Sequence, residues 1–234
     1  MNIIFFGDSL TKGRPALSII DLLQHKLPAH TLINLGKNGD TVKSLYYRIQ
    51  KTKITNDVDI VFLWIGTNDV LVHLFKSSAL FKTLMNQPWT NTLTEFRTYY
   101  QKILEILSTK TKKICTIPPV FIGEDPDNQW NKKLKELSTI IRNVSDAFSN
   151  TMFIDLQAEF MKHTQKTTSS YLPKTSIIPF LDGLQNRTVE KIDALSTSRG
   201  LQFTFDGVHL NSKGTQIVAS AFFQAIQNIE KKSK

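Results

Sequence analysis

The sequence predicts an α/β fold on three observations. Short apolar runs recur along the chain, each is bounded by Gly, Pro, Asn or Asp, and between them lie longer segments whose apolar residues recur three and four apart. That alternation builds a parallel sheet with helices on both faces, because a parallel crossover needs a connection of helix length.

The first strand is predicted at Asn2 to Phe6, stopped by Gly7 and Asp8, with a helix from Ala16 to Lys26 behind it. The second strand is Thr31 to Leu35, ended by Gly36 and followed by a helix from Val42 to Lys51. Asp59 to Ile65 is the third, closed by Gly66, and Thr92 to Thr109 reads as a helix on the spacing of Ile103, Leu104 and Leu107. Lys113 to Ile117 is the fourth strand; Leu134, Leu137 and Ile141 give the helix from Trp130 to Phe148 its apolar stripe. The fifth strand is Met152 to Leu156, and a last helix runs from about Ser212 to Glu230. Two stretches exceed this layout, Leu71 to Pro88 and Glu159 to Phe203. Both follow the carboxyl end of a strand, where open α/β sheets bind ligands, so both are expected to shape a pocket.

At 234 residues with no linker-like stretch, the chain is expected to form a single domain, residues 1–234. No apolar run approaches the ~18 residues of a membrane span. The apolar run near the start, Ile3 to Phe6, is too short for a secretory leader, so a cytoplasmic location is expected unless a leader has been removed. The lone cysteine, Cys115, rules out an intrachain disulfide and lies in an apolar strand run, as a packed core thiol would. The net charge of +9 comes largely from scattered lysines, without the arginine-rich, aromatic-interleaved stretch of a nucleic-acid binder. It reads as a solvated basic surface.

Four clusters carry chemistry. In Gly7-Asp8-Ser9-Leu10 a strand runs into a glycine-flanked turn, which puts the Ser9 hydroxyl at the carboxyl edge of the sheet. Alone, Asp-Ser ahead of a helix is equally an ordinary cap. Gly36-Lys37-Asn38-Gly39-Asp40-Thr41 and Gly66-Thr67-Asn68-Asp69 end two further strands at that edge, the first offering a backbone N–H and the second the uncharged Asn68 amide. Each singly is also plain turn chemistry. In Asp206-Gly207-Val208-His209 the histidine has a carboxylate three residues before it, near enough to hold its tautomer; the other four, His25, His30, His73 and His163, read as structural or solvent-facing. A hydroxyl nucleophile needs a base, the base an orienting acceptor, and a tetrahedral oxyanion at least two donors. Ser9, His209, Asp206, Gly39 and Asn68 make up that set. No second His or Cys stands at metal-ligand spacing, and no phosphate-cradling glycine loop occurs, so no metal, nucleotide or redox cofactor is expected.

These four blocks, in this order and spanning nearly the whole chain, resemble those of the SGNH (GDSL) hydrolases. The resemblance implies a flavodoxin-like three-layer α/β/α sandwich with strand order 2-1-3-4-5. It implies Ser9 as nucleophile, His209 and Asp206 as base and acid, and the Ser9 amide, the Gly39 amide and the Asn68 side chain as oxyanion donors. Gly39 is preferred to Gly36 for its place just ahead of Asp40 and Thr41. The implied reaction is hydrolysis of a carboxylic ester through an acyl-enzyme, on a small-molecule substrate, with no nucleic acid and no integral membrane segment. The expected substrates are short- to medium-chain acyl esters or lysophospholipid-like lipids. A carbohydrate or cell-wall O-acetyl ester is the alternative, and a non-catalytic carbohydrate- or lipid-binding module on the same fold is the alternative from another class. The apolar side chains of Leu71 to Pro88, Phe75 and Phe81 among them, are expected to form one wall of an acyl slot beside Ser9, the alternative being that this stretch is simply a helix packed on the core. Tyr171, Leu172, Ile177, Ile178, Phe180 and Leu181 are expected to form the opposite wall.

Overall fold

A computed structural model describes residues 1–13, 18–164, 169, 171–173, 175, 182 and 188–232. Its five strands are β1 (Asn2–Gly7), β2 (Thr31–Gly36), β3 (Val58–Trp64), β4 (Thr111–Ile117) and β5 (Thr151–Phe153). All pair in parallel, in the order β2-β1-β3-β4-β5. Gly7 lies opposite both Gly36 and Trp64, so β1, β2 and β3 end level with one another. The residues that leave those three ends therefore emerge along one edge.

Strand side chains alternate between two cores. Ile3, Phe5, Ile60, Phe62, Trp64 and Cys115 face α2 (Ile19–Lys26), α8 (Leu156–His163) and α10 (Ser212–Lys232). Ile4, Phe6, Val61, Leu63 and Ile114 face α3 (Val42–Lys51), α6 (Leu93–Ser108) and α7 (Gln129–Ser145). This is the three-layer arrangement expected, and the central strands are apolar on both faces because both are covered. Phe62 sits between Phe5 and Phe222, with ring centroids 4.8 and 4.7 Å away. Cys115 is fully buried and its thiol is pushed up by that burial, as a core residue's would be.

Most element ends fall within a few residues of those expected, and local caps explain the shifts. Ser18 caps α2 at the Asp21 N–H, so that helix begins at Ile19 rather than Ala16. β5 stops at Phe153, three residues short of its expected end at Leu156, because the Asp155 side chain accepts from the Ala158 N–H and turns Leu156 into the first residue of α8. The stretch Leu71 to Pro88 is mostly helical, the end of α4 (Thr67–Leu74) followed by α5 (Lys76–Leu84). Within Glu159 to Phe203 the described residues include the end of α8 and a helix, α9 (Val189–Ser198). Among the described residues no helix is long and apolar enough to cross a membrane.

Candidate active site

The turn after β1 is set by close packing. A Cβ on Gly7 would stand 2.3 Å from the Trp64 carbonyl oxygen, so only glycine fits there. Asp8 is buried and accepts from the Leu10 N–H at 2.9 Å, capping the short helix α1 (Ser9–Lys12). Burial pushes the Asp8 carboxyl up to about 6, against the opposing pull of that hydrogen bond and of His209. Ser9 opens α1, and its Oγ lies 2.9 Å from His209 Nε2 across 200 positions of sequence.

His209 is held by its own loop. Asp206 is fully buried; its Oδ1 accepts from the Val208 and His209 N–H groups at 2.8 and 2.6 Å, and its Oδ2 accepts from His209 Nδ1 at 2.6 Å. An ionised carboxylate only accepts, so the ring proton sits on Nδ1 and Nε2 offers its lone pair to the Ser9 hydroxyl. Burial would lower the His209 pKa, but the Asp206 charge and hydrogen bond, helped by Asp8, outweigh it and hold it above the ordinary histidine value. The loop is clamped chiefly by the turn that follows β4. Glu124 is buried and accepts from the N–H groups of Gln202, Phe203 and Thr204 and from the Thr204 hydroxyl, at 2.6 to 2.8 Å. Gly123 N–H donates to the Gly207 carbonyl at 2.7 Å, and Arg199 donates to the Phe205 carbonyl at 2.8 Å.

The oxyanion candidates stand on the neighbouring strand ends. Gly39 has φ of +75°, a conformation open to glycine, and its N–H meets no acceptor among the described residues; nor does the N–H of Ser9. The Gly36 N–H is occupied, donating to Asn34 Oδ1 at 2.9 Å. Asn68 is half-buried and gives one amide hydrogen to Asp8 Oδ2 at 3.3 Å, and its second hydrogen meets no acceptor among the described residues. Next to it the buried Asp69 accepts from the Val42 N–H at 2.9 Å and from the Thr90 hydroxyl, and burial pushes its carboxyl up to about 7. Arg48 pairs with Asp40 at 2.7 Å, which fixes the residue after Gly39.

The expected pocket walls are placed unequally. Phe75 is half-buried at the junction of α4 and α5, but Phe81 is 51% exposed, on an outward face with Leu80, Leu84 and Met85. The side of α5 that turns inward carries Ser78 and Lys82 instead. The apolar face of this helix thus points away from the body of the molecule, the reverse of the orientation expected from the sequence. On the other side, Tyr171 and Pro173 approach Gly207, and Leu172 packs against Gly123, so this part of the expected second wall does border the Asp206–His209 loop. Ile177, Ile178, Phe180 and Leu181 lie outside the described residues. Sequence reasoning missed Glu124, Arg199 and Lys82. Glu124 lies in the acidic turn Glu124-Asp125-Pro126-Asp127 and the two cations among many like them, so nothing in the residue pattern sets them apart.

A family model described as GDSL-like lipase/acylhydrolase family matches residues 5–217. The chain is 24% identical to an acetylxylan esterase of Geobacillus stearothermophilus over 180 residues, 68% of this chain and 77% of that one. Among solved structures it is similar to the acetyl xylan esterase AlAXEase, with a TM-score of 0.66 and 24% identity over 97% of this chain and 100% of that chain. It is also similar to an α/β hydrolase enzyme from the metagenome of Lake Arreo, Spain, with a TM-score of 0.64 and 21% identity over 96% and 94% of the two chains.

Proposed function

The chain belongs to the GDSL-like lipase/acylhydrolase family and is a carboxylic ester hydrolase, and on that premise we propose that it works through an acyl-enzyme on Ser9. The observation that carries this reading is the unbroken line from Ser9 Oγ to His209 Nε2, at 2.9 Å, and from His209 Nδ1 to Asp206, at 2.6 Å. The Ser9 oxygen attacks the ester carbonyl carbon while its proton passes to Nε2. The Ser9 and Gly39 N–H groups and the Asn68 amide receive the oxyanion. Collapse expels the alcohol, which leaves with the proton from Nε2. A water molecule then gives its proton to the same nitrogen, attacks the acyl carbon and frees the acid, and the Ser9 hydroxyl is restored. Residues 1–234 act as one hydrolase domain, in which 71–88 and 159–203 border the pocket.

The acyl group is short to medium in length. A carbohydrate O-acetyl ester is a second reading, favoured by the polar groups that lie against Gly39, Lys82 on the inward side of α5 and Gln87 just past its end, and by relatives named as acetylxylan esterases. A panel of p-nitrophenyl esters of rising chain length, run beside acetylated xylo-oligosaccharides, separates the two. An optimum at about four to eight carbons follows from an apolar slot gaining up to ~0.8 kcal/mol per buried methylene. An optimum at acetate, with release of acetate from the sugar, supports the second reading. Turnover of none of these esters by the wild-type protein would overturn the assignment of this site.

A further inference from the structure

The inward side of α5 buries a positive charge. Lys82 is 3% exposed, yet its ammonium reaches the Gly39 carbonyl, to which it donates, and Gln87 Oε1 at 3.3 Å. Three carboxylates act on it, those of Asp69, Asp8 and Asp40, and they oppose a burial that lowers the Lys82 pKa. Burying an ammonium is costly unless its hydrogens find acceptors, so a side chain that served only to fill this space would be apolar. Its environment is instead arranged around Gly39. Gln87 lies 3.2 Å from where a Gly39 Cβ would stand and also donates to Asp40 Oδ1 at 3.3 Å, and the Asp40 N–H closes the turn on the Lys37 carbonyl at 3.1 Å. Gly39 has no side chain to restrain it and a φ of +75°, so its peptide planes turn unless their polar groups are held.

We propose that Lys82 is a positioning residue of the oxyanion site, which holds the Gly39 carbonyl so that the Gly39 N–H stays aimed at the oxygen developing beside Ser9. The inference rests on reading Gly39 as an oxyanion donor. Lys82 touches neither substrate nor Ser9; it acts through the backbone it holds. Preorganised donors matter in the transition state more than in the ground state, so a loosened Gly39 lowers kcat and leaves KM nearly unchanged.

The test is steady-state hydrolysis of a p-nitrophenyl ester by Lys82→Met, Lys82→Gln, Asn68→Ala and the Asn68→Ala/Lys82→Met pair, with the folded fraction of each read from its thermal melt. Lys82→Met should lower kcat per folded molecule by about 10- to 100-fold with KM changed by less than about threefold. Lys82→Gln, which keeps a shorter neutral donor, should recover part of that loss. The double variant should be impaired by less than the product of the two single effects, because both act on one oxyanion. Turnover per folded molecule within about twofold of wild type in Lys82→Met would overturn the proposal, as would full multiplicativity in the pair. If neither Lys82 variant folds, Lys82 serves stability alone and the proposal falls. Undiminished turnover in Asn68→Ala would instead remove the oxyanion reading on which it stands.

Discussion

At the scale of single residues, the proposed mechanism makes the charge state of His209 decide when the site works. The imidazole must be neutral to take the Ser9 proton, and Asp206 and Asp8 hold its pKa above the ordinary value of ~6.5. Activity should therefore rise with pH through one ionisation lying above ~6.5. Asp206→Asn removes the largest influence raising it, so burial then dominates and the midpoint should move to lower pH while kcat falls; a midpoint that stays put would separate Asp206 from His209. For Asn68, whose second amide hydrogen meets no acceptor among the described residues, Asn68→Ala should lower kcat by ~10²–10³ with little change in KM. A rise in KM alone would make Asn68 a binding residue. The residues proposed for these roles could be singled out in the sequence because each sits in a short block with its own turn residues. Lys82 was not legible, since its partner Gly39 is 43 positions away and only the fold brings them together.

At the scale of elements, apolar spacing placed α3, α6 and α7 well, because each buries one stripe on the sheet and carries its own cap: Thr41, Thr92 and Asn128. The same reasoning failed on α5, where Leu80, Phe81, Leu84 and Met85 look outward and the charged side looks in. Periodicity says that two faces differ but not which one the molecule buries, and here the buried acids Asp8, Asp40 and Asp69 decide it. The turn after β4 was equally opaque, since Glu124 acts through residues 202–204, which only the fold brings to it. Glu124→Ala would leave the three N–H groups and the Thr204 hydroxyl without their shared acceptor and should destabilise the protein by ~3 kcal/mol. Urea denaturation measures this, and an unchanged midpoint would mean the loop before Asp206 is held by other contacts.

At the scale of the whole molecule, level strand ends bring Ser9, Gly39 and Asn68 to one edge of the sheet, and the loop ahead of α10 brings Asp206 and His209 to Ser9. Strand count, sheet direction and strand order could all be anticipated, because a parallel sheet covered on both faces leaves a continuous apolar trace in the sequence, and the four blocks resemble a family whose strand order is known. The core itself is testable at its centre. Phe222→Ala opens a hole against Phe62 and Trp64 and should cost ~3–5 kcal/mol in chemical denaturation, whereas a loss under ~1 kcal/mol would mean that this face repacks easily. The central claim, that Ser9 is the nucleophile, is tested most directly by treating the protein with a p-nitrophenyl organophosphonate and mapping the adduct by peptide mass spectrometry. One phosphonyl group on the peptide carrying Ser9, lost in Ser9→Ala together with ester hydrolysis, is the result expected; an adduct on another residue, or an alanine variant that still turns over ester, would contradict it.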